Sequence, residues 1–574
     1  MATASDDLVR IPPPTGAIFS PRTGNHVEPL VDGASAFDRI AAAVEAATTS
    51  VMVCVAFLET DAGFPGGRGT FFDLMDDAAS RGVDVRVLFW HPEGHGVGAE
   101  DTFPGTESSG RLLDARSTSW QARWDAVGSQ CQHQKAWLLD AGTDAEVAFV
   151  GGINITRGSM AGRDHAEPDP GLGFTRGERY SNVHDVHCLV RGPVATDVHE
   201  NFVMRWNGAS ERGRRHGSWP HGRTEDLAEP SGRSPEVGST TAQIQRSVLP
   251  GLYDALPDGE NSVREQYLSA IAGARDYVYV EDQILLSRVV LVELRNALER
   301  GVLVMASVPG DPMPELAAAR AHPGIAAAYD ALAALGAYEG FCLSAPCIRR
   351  EWGYEEVYVH AKTAVVDDRW ATIGSTNLVF SSFQGDTEMN ISFWDAEVAR
   401  AFRVRQVDVG AEPGRQGFRA APRVGEDGDQ QVAYAVLAEG GAAADGPLQG
   451  PRPIAPRLRV VGARLAADGL LEGERDPEGR AHLVGVAEGL VGVIEEGAVA
   501  PEDVARGHRM VLSAVPGHRG VEPVLGEPLL DLVDRLSVTL HRTIQRDLLE
   551  GTVEYQFGTH TAAANLGGSE VKVV

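Results

Sequence analysis

Residues 359–377 read VHAKTAVVDDRWATIGSTN, and the fold is decided by how this stretch is read. Its centre is His360-x-Lys362-x-x-x-x-Asp367, followed by Gly374-Ser375-Thr376-Asn377. The apolar run from Thr363 to Val366 predicts a strand. Residues two apart on a strand share a face, so an imidazole and an ammonium emerge side by side. That pairing suits an anionic phosphoryl group, because one side chain can attack or donate a proton while the other holds positive charge. The Gly-Ser-Thr-Asn turn adds hydroxyl, amide and backbone donors.

The pattern occurs twice. Residues 131–140, CQHQKAWLLD, contain His133-x-Lys135-x-x-x-x-Asp140, and a Gly151-Gly152-Ile153-Asn154 turn follows. Only three lysines occur in the chain, Lys135, Lys362 and Lys572, and two of them hold the same place in the two copies. A compact ammonium is wanted there rather than a planar guanidinium.

Outward from these motifs the order of elements also repeats. Ser35-Ala36-Phe37-Asp38 predicts the start of a helix running to about Ala47, and a strand over 50–57, a helix over 70–81 and a strand over 83–90 follow. In the second half Ser262-Val263-Arg264-Glu265 predicts a capping box, then helix, strand, helix and strand to Val308. The shift from Ser35 to Ser262 is 227 residues, the same as from His133 to His360. The chain therefore holds an internal duplication. The expected fold is α/β: two similar α/β/α sandwich lobes with largely parallel sheets, related by a pseudo-two-fold axis that sets the histidines face to face. Asp185 and Glu388 begin matched strands, where a carboxylate can take the far ring proton of a histidine and fix its tautomer.

The boundaries expected are an arm over 1–30, a first lobe over 31–206, a hydrophilic linker over 207–240, a second lobe over 241–410 and a C-terminal region over 411–574. In that last region 426–456 reads as a tether, 457–465 as a strand and 529–549 as an amphipathic helix. The glycines of GLGFTRG at 171–177 lack the strand and Lys-Ser/Thr of a nucleotide loop. His184 and His187 have ligand spacing, but no further ligand cluster is evident in the sequence, so no metal is expected.

Of 574 residues, 43% are apolar and 23% charged, as in a soluble globular protein. A net charge of −29 argues against a broad nucleic-acid-binding surface and against simple adhesion to anionic membranes. The start MATASDDLVRIPPP lacks the basic and apolar segments of a secretory signal, and five scattered cysteines fit reduced thiols, so a cytoplasmic location is expected.

The paired motifs, with VHDVHCLVRGPVATDVHENFVMRW at 183–206 and YLSAIAGARDYVYVEDQ at 267–283, resemble the phospholipase D superfamily, and its eukaryotic-like lipases in particular. The resemblance covers about residues 30–408. It implies a phospholipase D that hydrolyses and transphosphatidylates glycerophospholipids such as phosphatidylcholine through a phosphohistidine, His133 being the nucleophile and His360 the acid/base. The residues themselves leave those two roles interchangeable. His133, Lys135, Asp140, His360, Lys362 and Asp367 are expected to be catalytic, Asp185 and Glu388 to orient the histidines, and Asn154, Gly374, Ser375 and Asn377 to grip phosphate. No cofactor is expected, and the expected partner is a phospholipid at a membrane surface, met peripherally. Two other readings stay open: a nuclease or phosphatidyltransferase on a different phosphodiester, and a scaffold with a vestigial site.

Overall fold

The computed structural model describes residues 4–92, 102–125, 131–163, 165, 181–211, 218–219, 226–350 and 353–407, with short strands at 474–475, 481–485, 510–513, 562–566 and 569–573. The readings of 171–177, 426–456, 457–465 and 529–549 lie outside the described residues. The described residues fall into two units, one holding those up to 312 and 335–407, the other holding 313–334 and the strands beyond 473.

The first unit begins with α1 (Ala4–Arg10) and β1 (Arg22–Val31). There follow α2 (Gly33–Ala46), β2 (Ser50–Val55), α3 (Phe71–Ser80), β3 (Asp84–Trp90), α4 (Glu107–Ala115), β4 (Gln121–Asp125), β5 (Lys135–Leu139), β6 (Val147–Gly151), β7 (Val183–His184), β8 (Val186–Arg191), α5 (Ala195–Glu211) and β9 (Ser218–Trp219). The second half repeats the order with β10 (Thr240–Val248), β11 (Glu260–Asn261), α6 (Ser262–Gly273), β12 (Tyr277–Asp282), α7 (Arg288–Glu299) and β13 (Leu303–Ser307). After α8 (Pro314–Ala319) and α9 (Pro323–Ala334), which belong to the other unit, come β14 (Phe341–Ser344), the β15 (Cys347–Arg350) and β16 (Gly353–Glu356) hairpin, and β17 (Tyr358–Val359). The half closes with β18 (Lys362–Val366), β19 (Trp370–Gly374), α10 (Phe380–Gln384), β20 (Glu388–Trp394) and α11 (Ala396–Val407).

One sheet carries both halves, in the order β14-β13-β12-β18-β19-β20-β10-β1-β8-β6-β5-β2-β3-β4-β9. Read outward from the central β10-β1 pair, the strands match one for one: β1 with β10, β8 with β20, β6 with β19, β5 with β18, β2 with β12, β3 with β13 and β4 with β14. The expected duplication is thus present as two α/β lobes. The expectation of largely parallel sheets is corrected: in each lobe only β2-β3-β4 or β12-β13-β14 pair in parallel, and the other neighbours on the path are antiparallel. The reason is that the motif strands β5 and β18 each run straight into a hairpin with β6 or β19, and a short connection permits only antiparallel pairing.

Helices lie on both sheet faces. On one, α2 and α3 bury Phe37, Ile40, Val44, Phe71, Phe72 and Met75 against β2, β3 and β5, each such side chain contributing about 2 kcal/mol. On the other, α5 and α11 bring Phe202, Trp206, Ala399 and Phe402 into a core that also holds Val150, Cys188, Ile244, Val365 and Ile391 from both lobes. Thr70 caps α3 by a reciprocal bond pair with Asp73. Neither Ser35 nor Ser262 is a cap. Asp32 and Asn261 hold those positions without side-chain cap bonds, while the Ser262 hydroxyl bonds Glu260 at 2.5 Å.

The arm and linker boundaries also change. Residues 22–31 form the ten-residue central strand β1, and Ile11 is fully buried with its carbonyl on Trp394 Nε1 at 2.8 Å. Thr240, given to the linker, opens β10, a strand buried at all nine positions. Among the described residues no helix is long and apolar enough to cross a membrane.

Candidate active site

His133 and His360 lie in the short connections that lead into β5 and β18, and the two lobes exchange support at these points. The His133 amide donates to the Thr387 carbonyl at 2.9 Å, and the Thr387 amide returns to the Cys131 carbonyl at 2.9 Å. In the mirror position the His360 amide donates to the His184 carbonyl at 2.8 Å, with β17 paired in parallel to β7. Each histidine loop therefore runs beside the other lobe's carboxylate-bearing strand.

The side chains cross in the same way. Nδ1 of His133 lies 3.0 Å from Glu388, and Nδ1 of His360 lies 2.5 Å from Asp185 Oδ2. His133 Nδ1 also meets the Ser375 carbonyl at 3.0 Å. With Nδ1 engaged on both rings, Nε2 is the nitrogen left for chemistry on each. Glu388 is fully buried and Asp185 is 1% exposed, while the two histidine side chains keep 11% and 12% of their surface in contact with solvent.

Lys135 Nζ donates to the carbonyl of His133 at 2.9 Å and lies 5.5 Å from the centre of the Phe57 ring. Lys362 Nζ donates to the carbonyl of His360 and to Gln283 Oε1 at 3.2 Å. Each ammonium is thus tethered to the histidine of its own motif. Burial, then Lys135 and Lys362, hold His133 well below the usual histidine range; burial, Lys362 and, more weakly, Lys135 take His360 to about 3. Both lysines act on both histidines, so all four groups share one electrostatic site. Burial raises Glu388 to about 8. Burial lowers Lys135 to about 8, with Lys362 adding to the effect.

Six of the expected residues, His133, Lys135, Asp185, His360, Lys362 and Glu388, are brought together. Asn154 and Asn377 follow β6 and β19, and each keeps a buried amide oxygen with no hydrogen-bond partner among the described residues. Asp140 and Asp367 are placed elsewhere, which corrects their assignment as catalytic. They end the motif strands five residues beyond the lysines, about 16 Å away along a strand. Asp140 Oδ1 accepts from the amides of Thr48, Thr49 and Ser50 at 2.9, 2.6 and 3.4 Å. Asp367 accepts from Arg275, Asp276 and Tyr277 at 2.9, 2.8 and 2.7 Å, and pairs with Arg10. Both take the left-handed backbone, with φ of 51° and 54°, and both clamp the turn from a helix into the next strand.

Ser375 and Gly374 are corrected too. The Ser375 hydroxyl donates to Glu388 at 2.5 Å and therefore braces the carboxylate that holds His133. Gly374 is small for packing, since a Cβ there would come within 2.0 Å of Asn390 Oδ1. Phe57 was missed. Its ring meets that of His133 edge-on at 5.8 Å, and nothing in the spacing of the motifs marks it. The reading that His184 lacks companion ligands is also corrected: Asp32 Oδ1 lies 2.6 Å from His184 Nδ1 and 3.4 Å from His165 Nε2.

The family model described as "Phospholipase D" matches residues 41–290, and that described as "Cardiolipin synthase, PLD-like domain" matches 267–405. Phospholipase D superfamily domains are therefore present across both lobes. The chain is 23% identical over 392 residues to a cardiolipin synthase of Listeria welshimeri, covering 67% of this chain and 68% of that protein. It is 24% identical over 448 residues to phospholipase D alpha 1 of Vigna unguiculata, covering 57% and 55%. A crystal structure of a phosphatidylserine synthase from Haemophilus influenzae aligns over 71% of this chain and 91% of that one, at 13% identity and a TM-score of 0.47. The narrower expectation of the eukaryotic-like branch gives way to the coarser one, since bacterial cardiolipin synthases stand among these relatives beside the plant enzyme.

Proposed function

We propose that the chain transfers the phosphatidyl group of a glycerophospholipid to an alcohol through a covalent phosphohistidine, water being a competing acceptor. The observation that carries this reading is the crossed pairing of His133 with Glu388 and of His360 with Asp185, which leaves Nε2 of each ring for chemistry in a site where both lysines act on both rings.

In the first step Nε2 of one histidine attacks phosphorus, an N–P bond forms and the P–O bond to the headgroup breaks. The second histidine, neutral in the free site, takes a proton at Nε2 when the anionic phosphodiester lies against it, and gives that proton to the departing alkoxide. In the second step that histidine takes the proton of the acceptor alcohol, whose oxygen bonds to phosphorus as the N–P bond breaks. Lys135 and Lys362 stabilise the charge on the non-bridging oxygens, and the side-chain NH2 groups of Asn154 and Asn377 are proposed to add donors. His133 is proposed as the nucleophile and His360 as the acid/base.

Transfer is placed ahead of hydrolysis because the second-lobe match and the Listeria relative carry the cardiolipin synthase name. Phosphatidylcholine hydrolysis is the second reading, favoured by the Phospholipase D match over the first lobe and by the plant relative. The test is to incubate the full chain with separate vesicles of phosphatidylglycerol and of phosphatidylcholine, each with and without a primary alcohol. Phosphatidyl-alcohol is expected wherever the alcohol is present, and a diphosphatidyl lipid from phosphatidylglycerol alone. Phosphatidic acid as the sole product in every arm would make the chain a hydrolase. No lipid turnover combined with cleavage of single-stranded DNA would make it a nuclease.

A further inference from the structure

Behind the second histidine lies a cluster that the proposed reaction does not use. Asp32, His165 and His184 are 1%, 0% and 1% exposed, and one ligand atom from each lies within 4.8 Å of the other two. Asp32 occupies the N-cap position of α2 with φ of 66°, yet its carboxylate caps no helix amide and turns to the histidines instead. Its Oδ1 lies 2.6 Å from His184 Nδ1 and 3.4 Å from His165 Nε2, while its Oδ2 is buried with no hydrogen-bond partner among the described residues.

The far nitrogen of each ring is held. His165 Nδ1 meets Asn182 Oδ1 at 2.6 Å, and Asn182 Nδ2 returns to the His165 carbonyl at 3.0 Å, so that ring is gripped from two directions. His184 Nε2 meets Glu281 Oε2 at 2.9 Å, and Glu281 is itself held by Gln406 Nε2 at 2.8 Å and by the Tyr279 hydroxyl. His184 lies between two carboxylates, Asp32 and Glu281, so before metal binds its Nδ1 donates to Asp32, and a metal would take the place of that proton. An acceptor behind each ring leaves the nitrogen facing Asp32 as the ligand atom, as around histidines that bind metals. Tetrahedral zinc with bonds of about 2.0–2.1 Å sets neighbouring ligand atoms about 3.4 Å apart. The Asp32–His165 spacing already equals that edge, and Asp32–His184 would open by less than an ångström.

From this geometry we infer that Asp32, His165 and His184 form a site for one divalent transition-metal ion of the zinc type, built into the first lobe and braced by Glu281 from the second. Two imidazoles and one carboxylate favour such an ion over calcium or magnesium, which take mainly oxygen ligands. The ion would serve a positioning role. The His184 carbonyl accepts the amides of His360 and Ala361 at 2.8 and 3.1 Å, and the next residue, Asp185, holds the His360 ring.

The test needs no substrate and so is independent of the proposed reaction. Full-length chain is stripped with chelator, dialysed against zinc or cobalt(II), and assayed for metal content, cobalt ligand-field absorption and melting temperature. Expected are one ion per chain, visible bands of low-coordinate cobalt with histidine ligands, and a higher melting temperature with zinc. His165→Ala is expected to weaken binding at least about 100-fold. Asn182→Ala, which leaves all three ligands in place, is expected to weaken it about tenfold. The Asn182 variant keeps the proposal falsifiable should His165→Ala fail to fold. No bound ion and no cobalt spectrum in the parent, or undiminished binding in either folded variant, would overturn the site.

Discussion

Glu388 of the second lobe holds Nδ1 of His133 of the first at 3.0 Å, and the pair sits on the pseudo-symmetry of the molecule opposite Asp185 and His360. Neither lobe supplies both halves of an oriented histidine. The site therefore exists only when the lobes are docked, and the shared core that runs from Val150 to Ile391 is what keeps them so.

Replacing either histidine is expected to remove turnover. His133→Asn and His360→Asn each lower kcat by at least about 10³-fold, since one deletes a bond-forming atom and the other the proton donor. Both rings keep some solvent contact, so unfolding midpoints stay near that of the parent. Rates on vesicle substrate together with thermal melts check this, and turnover near the parent rate in either folded variant would contradict the roles.

Glu388→Gln keeps the shape of the side chain but loses the carboxylate that fixes the His133 tautomer, and a loss of about 10²–10⁴-fold in kcat is expected. Ser375→Ala removes the hydroxyl at 2.5 Å from Glu388 while leaving the Ser375 carbonyl on His133. A smaller fall in kcat is expected with KM unchanged. A rise in KM at constant kcat would instead mean that Ser375 touches substrate phosphate.

Asp140→Ala strips the acceptor from the amides of Thr48, Thr49 and Ser50. Hydrogen bonds to a charged group are each worth about 1.5–3 kcal/mol, so a loss of at least about 2 kcal/mol is expected in a denaturant melt. The kcat of the folded fraction stays close to that of the parent. A collapse of kcat without a change in stability would restore Asp140 to the chemistry.

The dependence of kcat/KM on pH follows from burial and from the two lysines. His133 is held below the ordinary histidine value, so it stays unprotonated as pH falls past 6.5, and the acid limb of the profile lies on the acid side of that value. Lys135 titrates at about 8, so its fixed charge is lost as pH rises through that region and the rate falls with it. Lys135→Arg, whose guanidinium does not titrate below about 12, is expected to lower the rate and to flatten the alkaline limb. An unshifted alkaline limb in that variant would assign the limb to another group.

Much of this could be read in the residues alone, because the motifs are local. The His-x-Lys pairs, the repeat at 227 and the carboxylates at Asp185 and Glu388 are each visible within a few positions. What stayed hidden depends on contacts between distant segments. Gly152 and Ser375 occupy matching places in their turns, yet a Cβ at Gly152 would come within 2.4 Å of Asp185 Oδ1, whereas Ser375 reaches Glu388 with a hydroxyl. One lobe's shorter acid needs room and the other's longer acid needs a brace, which no single-strand pattern reveals. The central strand β10 reads as polar because Gln243, Gln245 and Arg246 are buried at the junction, bonded to Phe19, Gln266 and Glu260. Asp32 and His165 join His184 only through the turn after β1 and the loop after β6, so ligand spacing in the chain does not show them.

The most direct measurement of the double-displacement proposal is the stereochemical course at phosphorus, followed with a phospholipid made chiral there by isotopic or sulfur substitution and a primary alcohol as acceptor. Two successive in-line displacements through a phosphohistidine give net retention, the result expected. Net inversion would show a single direct displacement, and neither histidine could then be the nucleophile.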